Sequence, residues 1–159
     1  METTYYYPSP VGCLELTADN DALVALRLVE ACRCGLDPQS QGQSPANPVL
    51  LKTCKQLDEY FAGKRRTFDL PLAPKGTAFR QKVWNELQRI PYGKTISYAQ
   101  LAQSAGNPKA CRAAGSANGK NPIAIIIPCH RVINTGGKLG GYAYGLEVKK
   151  RLLDLEQAS

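Results

Sequence analysis

Ser97-Tyr98-Ala99-Gln100-Leu101-Ala102-Gln103-Ser104-Ala105-Gly106-Asn107-Pro108-Lys109-Ala110-Cys111-Arg112-Ala113-Ala114-Gly115-Ser116-Ala117 sets the architecture of the second half of this chain. Ser97 and Gln100 have the spacing of a capping box, which predicts a short helix from about Tyr98 to Ala105. Gly106 closes it. Asn107 is a suitable cap for the next helix, with Pro108 at its first position, where a missing N–H costs nothing. Helix, glycine turn, helix is the pattern of a helix-turn-helix. The second helix is built almost entirely of small residues around Arg112. A helix that reads base edges in the major groove carries Asn, Gln, Arg or Lys at several adjacent positions. A helix this thin can instead approach the narrow minor groove. Close packing against another element accounts for the same small residues, and the helix alone leaves both readings open.

Downstream, the apolar run Ile123-Ala124-Ile125-Ile126-Ile127 predicts a buried strand. It delivers Pro128-Cys129-His130-Arg131-Val132, which contains the sole histidine of the chain. A cysteine is a good nucleophile only as thiolate, and a neighbouring base is a usual way to make one. The same pair is also compatible with simple packing, because cysteine is among the most buried residue types. An imidazole acting as base needs an anionic partner. Glu86, Glu147, Asp154 and Glu156 are available in this half, and pattern does not choose among them.

Upstream, Tyr5–Tyr7, Gly12–Thr17 and Leu23–Leu28 read as strands separated by turn residues. Gly35 to Pro48 reads as a surface loop. Leu50, Cys54, Leu57 and Phe61 recur at helical spacing, with Gly63 at the C-terminal cap position. Asp69 to Pro74 is an extended connector. A helix then opens at Thr77, with Phe79, Val83, Leu87 and Ile90 as its apolar stripe and Trp84 in the core, and Pro91-Tyr92-Gly93 ends it. The expectation is an α+β protein of two domains: strand-rich residues 1–74, then a helical DNA-binding and catalytic domain at 75–159.

Charge separates the same two parts. Residues 1–74 carry seven Lys/Arg against nine Asp/Glu, net −2, whereas residues 75–159 carry thirteen against four, net +9. A basic half is the footprint of a phosphate-backbone binder, although a solvated cationic surface has the same composition. No apolar stretch approaches the roughly 18 residues of a membrane span, and the N-terminus lacks the pattern of a secretory signal. The six cysteines (13, 32, 34, 54, 111 and 129) are expected as reduced thiols in the cytoplasm. With His130 as the lone histidine, no Cys/His metal set forms without consuming it, so no metal is expected.

Ile96-Ser97-Tyr98, Gly106-Asn107-Pro108, Arg112-Ala113-Ala114-Gly115, Asn121-Pro122 and Ile127–Val132 occur in the order and spacing of the O6-alkylguanine-DNA alkyltransferases. Gly141-Tyr142 and Gly145-Leu146 through Leu152-Leu153 to Glu156 continue the resemblance, which covers about residues 76 to 158. The first half resembles the variable N-terminal domain of that family. The resemblance implies a ribonuclease-H-like sheet with a helix, followed by a winged helix-turn-helix-like domain, in a stand-alone bacterial type. It implies Cys129 as alkyl acceptor, His130 as base acting through a water, and Glu156 as its anionic partner. Asn121 would hold the turn, and Tyr98 would donate a proton to the departing base. Arg112 would fill the stack vacated by a flipped nucleotide, on a helix whose Ala113 and Gly115 lie against DNA. Backbone groups around Val132 and the segment of Tyr142, Ala143 and Tyr144 would line the base pocket.

Two departures stand out. Some members hold a zinc through N-terminal Cys and His, and this chain has no histidine there. Others place a small hydroxyl residue and a glycine after the pocket tyrosine, where this chain has Ala143 and Tyr144. The implied partner is double-stranded DNA, bound through its minor groove by a monomer without cofactor or membrane attachment. Two rival readings are a non-catalytic module that binds alkylated DNA, against which the intact Cys129 argues, and a cysteine hydrolase using Cys129, His130 and Glu156.

Overall fold

A computed structural model describes residues 2–29, 47–134 and 136–158. The chain divides into two compact units, Met1–Pro74 and Lys75–Ser159. The architecture is α+β.

In the first unit, β1 (Thr3–Ser9), β2 (Gly12–Ala18) and β3 (Leu23–Val29) form an antiparallel sheet in sequential order. The side-chain carboxylate of Asp19 accepts from the backbone N–H groups of Asp21 (2.8 Å) and Ala22 (2.7 Å), which makes the turn between β2 and β3. Alternation in β2 buries Leu14, Leu16 and Ala18. α1 (Pro48–Phe61) starts at Asn47, whose side chain accepts from Val49 and Leu50, and buries Leu50, Leu57 and Tyr60. The expected helix is therefore present, with Ala62 as its cap and Gly63 following at φ +75°. The connector does more than connect: Leu72 bridges to Leu23, at the start of β3. The expected loop at 35–48 lies almost wholly outside the described residues. Cys13 is disulfide-bonded, which corrects the expectation of six reduced thiols, whereas Cys54, Cys111 and Cys129 are free.

The second unit contains α2 (Ala78–Leu87), β4 (Ile96–Ser97), α3 (Tyr98–Ser104), α4 (Cys111–Gly119), β5 (Val132–Ile133) and α5 (Leu146–Ala158). Thr77 caps α2, and Ser97 and Gln100 form the full capping box at α3. Gly106, at φ +89°, allows the reversal that follows α3. α4 begins later than expected. Asn107 to Ala110 form a turn in which the Asn107 side chain accepts from Lys109 N, and α4 starts at Cys111 without a side-chain cap. Trp84 is core, donating from Nε1 to Ala117 O at 2.8 Å and so fastening α2 to α4. Leu101 and Ala102 of α3 and Ala114 and Ala117 of α4 are buried with it.

The run Ile123–Ile127 is buried as expected, but it is not a strand. It folds into consecutive turns, with Ile126 N donating to Ala124 O at 2.7 Å and Ile127 N to Ile123 O at 3.0 Å. Ile125 takes φ +69°, a conformation a β-branched side chain rarely accepts. Such strain costs about 1–3 kcal/mol and persists only where the surroundings impose it. Here Asn121 imposes it. Its Nδ2 donates to Ile123 O (3.2 Å) and Ile127 O (2.7 Å), and its Oδ1 accepts from Ile123 N (3.0 Å). Among the described residues, no helix is long and apolar enough to cross a membrane.

Candidate active site

The turns braced by Asn121 end in a single 3-10 turn, Cys129–Arg131, whose three side chains are all buried. β5 then pairs in parallel with β4, Ile96 opposite Val132 and Ser97 opposite Ile133. This pairing brings Tyr98, the first residue of α3, to the same region as Cys129. α5 closes the site from behind. Lys149, Leu152 and Glu156 recur at spacings of three and four, and all three are buried.

Glu156 is the hub. Its Oε2 lies 2.6 Å from His130 Nε2 and accepts from Arg131 Nη2 at 3.0 Å, while Oε1 accepts from Arg131 Nε at 2.8 Å. Arg131 Nη1 also donates to Ile90 O at 2.8 Å. Burial alone would raise the Glu156 pKa, but the hydrogen bonds from His130 and Arg131 outweigh it and hold it down at about 2. The carboxylate is thus ionised and can only accept. His130 Nε2 must therefore carry the proton, which leaves Nδ1 as the bare, basic nitrogen. Nδ1 has no hydrogen-bond partner among the described residues. Burial lowers the His130 pKa, only partly offset by Glu156, so the ring rests neutral.

Cys129 lies at a cavity of about 380 Å³, in the range of small-ligand sites. Burial pushes its thiol upward, and hydrogen bonding with Asn121 and Tyr142 opposes this in part. The thiol rests neutral and so does the His130 imidazole, so the nucleophile forms only when its proton is taken. Its sulfur is 3.8 Å from the Tyr142 hydroxyl. Tyr98, Asn121, Tyr142, Ala143 and Tyr144 line the same cavity, with Gly115 of α4. The Tyr142 and Tyr144 rings meet edge to face, with centroids 5.7 Å apart. Tyr98 is half-buried, and its hydroxyl donates to Gly141 O over a long 3.4 Å. Burial and the nearby Cys129 raise its pKa, so the phenol keeps its proton at neutral pH. Gly140 (φ +71°) passes beneath this ring, where an added Cβ would lie 3.2 Å from Tyr98 Cε2.

Not every expected residue meets in this cavity. Val132 is fully buried in β5 and does not line it. Arg112 and Ala113 are exposed on α4, and Arg112 borders an open, shallower depression with Tyr98, Cys111, Gly115 and Asn134. Lys109 and Lys120, just before and just after α4, are exposed as well.

Three residues carry more of the site than their sequence positions suggested. Arg131 holds Glu156 with two nitrogens. Asn118, on α4, lines the cavity and donates from Nδ2 to Cys129 O at 3.4 Å, while its buried Oδ1 has no partner among the described residues. Lys149 is the third. A charge on the apolar stripe of α5 is the signal that could have found it. Among the described residues, no group of three or more His, Cys, Asp or Glu could hold a metal ion.

Residues 78–158 match the model of the 6-O-methylguanine DNA methyltransferase, DNA binding domain, and residues 3–74 match its ribonuclease-like domain. The methylated-DNA–protein-cysteine methyltransferase of Methanosarcina mazei is 57% identical over 155 residues, covering 96% of this chain and 97% of that protein. The crystal structure of the Mycobacterium tuberculosis O6-methylguanine methyltransferase superposes with a TM-score of 0.85 at 43% identity, covering 99% of this chain and 94% of that one. The Mycobacterium tuberculosis OGT in complex with DNA superposes with a TM-score of 0.84 at 44% identity, covering 96% and 91%.

Proposed function

The chain belongs to the 6-O-methylguanine DNA methyltransferase family, and from that premise we propose that it repairs DNA by moving the alkyl group of O6-alkylguanine onto Cys129 in one irreversible turnover. The observation that carries this reading is a thiol at a cavity of about 380 Å³, followed in the chain by an imidazole whose Nε2 is tied to the Glu156 carboxylate and whose basic Nδ1 has no partner among the described residues.

A guanine stacked in duplex DNA cannot reach a buried thiol, so the nucleotide turns out into the cavity. Arg112, exposed on α4, occupies the space it leaves. The Cys129 proton passes through a water to His130 Nδ1, and Glu156 stabilises the imidazolium. The thiolate attacks the alkyl carbon. The new S–C bond forms as the C–O6 bond breaks, and the electron pair stays on the base. The Tyr98 phenol, still protonated at neutral pH, donates to the base, and the imidazolium and phenolate then neutralise each other. A thioether is not a group that water displaces, so the protein is consumed.

The exposed side of α4 supports entry through the minor groove: Ala113, Ser116 and Gly119 leave little bulk around Arg112. We infer in addition that the protein acts as a monomer. Transfer and DNA binding are assigned to residues 75–159, with 1–74 as the strand-rich N-terminal domain. We infer that it works in the cytoplasm, where it meets the DNA it repairs. The test is a duplex carrying labelled O6-methylguanine. The label should pass to the peptide containing Cys129, and label on the peptides of Cys54 or Cys111 would assign the acceptor elsewhere.

A further inference from the structure

Lys149 has no part in the steps above, yet its side chain is fully buried. A buried ammonium is costly unless its N–H groups find acceptors. Its Nζ donates to Leu139 O and to Gly141 O (3.1 Å), and it lies 5.8 Å from the centroid of the Tyr98 ring. Gly141 O is the same carbonyl that accepts from the Tyr98 hydroxyl. The two carbonyls belong to the segment that leads directly into Tyr142, Ala143 and Tyr144 of the cavity wall. One cation therefore joins the pocket-wall backbone to the face of the tyrosine assigned as proton donor.

The ionisable groups that interact with Lys149 from other elements are Cys129 and His130 of the 3-10 turn and Tyr98 of α3. On its own helix, Glu156 is committed to His130 and Arg131. The positive charge favours the anionic form of Cys129, and that anion in turn favours the ammonium. Burial pushes Lys149 down to about 8, so at neutral pH it remains largely charged.

We propose that Lys149 is a positioning residue for the transfer: its ammonium fixes the Leu139–Gly141 backbone and the Tyr98 ring, and its charge offsets the anion that forms on Cys129 as the proton leaves. This deepens the reading of Cys129 as acceptor and rests on it. Arg131 cannot substitute, because Glu156 already neutralises it.

The test compares wild type, Lys149→Met and Lys149→Arg. Met matches the length without the charge, and Arg keeps the charge. Near-UV circular dichroism establishes that each variant is folded. Two reactions are followed across pH by peptide mass at Cys129: alkylation by iodoacetamide, and transfer from a methylated duplex. In Lys149→Met the pH midpoint of Cys129 reactivity should move up by about one unit or more, the usual effect of losing one nearby charge. Both reactions should then be roughly tenfold slower at neutral pH. Lys149→Arg should bring the midpoint back toward wild type. A folded Lys149→Met variant with the wild-type midpoint, whatever its rate, overturns the proposal and leaves Lys149 a purely structural cation. The iodoacetamide arm decides this by itself. Failure of the wild type to accept a methyl group from the duplex refutes the acceptor reading instead.

Discussion

Replacing Glu156 with Gln removes one charge and exchanges one acceptor oxygen for a donor at the hub of the site. Two consequences can be worked out separately. The first concerns stability. Glu156 falls from its ordinary 4.5 to about 2 in the folded protein, and at 1.36 kcal/mol per unit the native state gains about 3 kcal/mol from its ionised form. Leaving one partner of a buried ion pair uncompensated costs a similar amount, about 3–5 kcal/mol. Urea unfolding at neutral pH should show the loss as a lower midpoint with an unchanged slope. The second concerns chemistry. Arg131 donates from Nε to Oε1 and from Nη2 to Oε2, so either orientation of a glutamine sets its amide against one Arg131 nitrogen, and the orientation that keeps the carbonyl on Nε places the amide at the oxygen facing His130. His130 Nε2 then has to accept, which moves the ring proton to Nδ1 and removes the base. The single-turnover rate on a methylated duplex should fall by roughly 10²–10⁴, as when a base is forced into the wrong tautomer. Affinity for the duplex should stay near wild type, because Glu156 is buried away from solvent. A variant that is destabilised as expected but transfers within about threefold of wild type would refute the reasoning, since a factor of three is less than 1 kcal/mol of barrier.

Arg112→Ala should slow repair of duplex DNA far more than reaction with the free modified base, because only the duplex requires a flipped state to be held; equal losses would assign Arg112 to the fold. Tyr144→Gly should raise the rate with free O6-benzylguanine more than that with O6-methylguanine, since Tyr144 occupies the cavity wall where a large substituent would lie; an unchanged ratio of the two rates would remove Tyr144 from the pocket. Stability should decline on acidification in two stages. His130 has a folded pKa below 6.5, so its contribution is intact above that value and is lost as the unfolded chain takes up its proton below it. The Glu156 contribution is intact above 4.5 and disappears as pH falls toward 2. Urea midpoints measured from pH 8 to pH 3 check both stages, and a flat profile between pH 7 and 5 would contradict a buried neutral His130.

Local signals were legible. The capping box at Ser97 and Gln100 and the glycine at 106 appear where expected; α1 and α2 are present too, but α2 ends at Leu87, with Ile90 buried in the turns beyond it, and Tyr60 is buried in α1 where Phe61 was expected. The run Ile123–Ile127 misled, because an apolar run reports burial and says little about backbone path. The path is set by three hydrogen bonds from one side chain, Asn121, outside the run. The start of α4 moved because Asn107 and Pro108 suit a turn as well as a helix cap. At the site, the motif drew attention to Cys129 and His130, and only the family resemblance singled out Glu156 among the four acids. Arg131 was not legible as a site residue, and Lys149 only as a charge out of place on the apolar stripe of α5, because a buried charge makes sense only beside its partners. Those partners lie 25 residues away for Arg131 and include carbonyls 8 and 10 residues away for Lys149. Val132 follows the motif directly, yet its pairing with Ile96 turns it into the core.

The central claim is stoichiometric transfer to Cys129, and intact mass measured against time with excess methylated duplex tests it most directly. The mass should rise by a single methyl group in place of one proton, stop at one equivalent per chain, and map to the Cys129 peptide. Cys129→Ala should still bind the duplex and show no gain. Repaired guanine accumulating beyond one equivalent, with the protein mass unchanged, would contradict the account and point to a hydrolytic enzyme built on the same three residues.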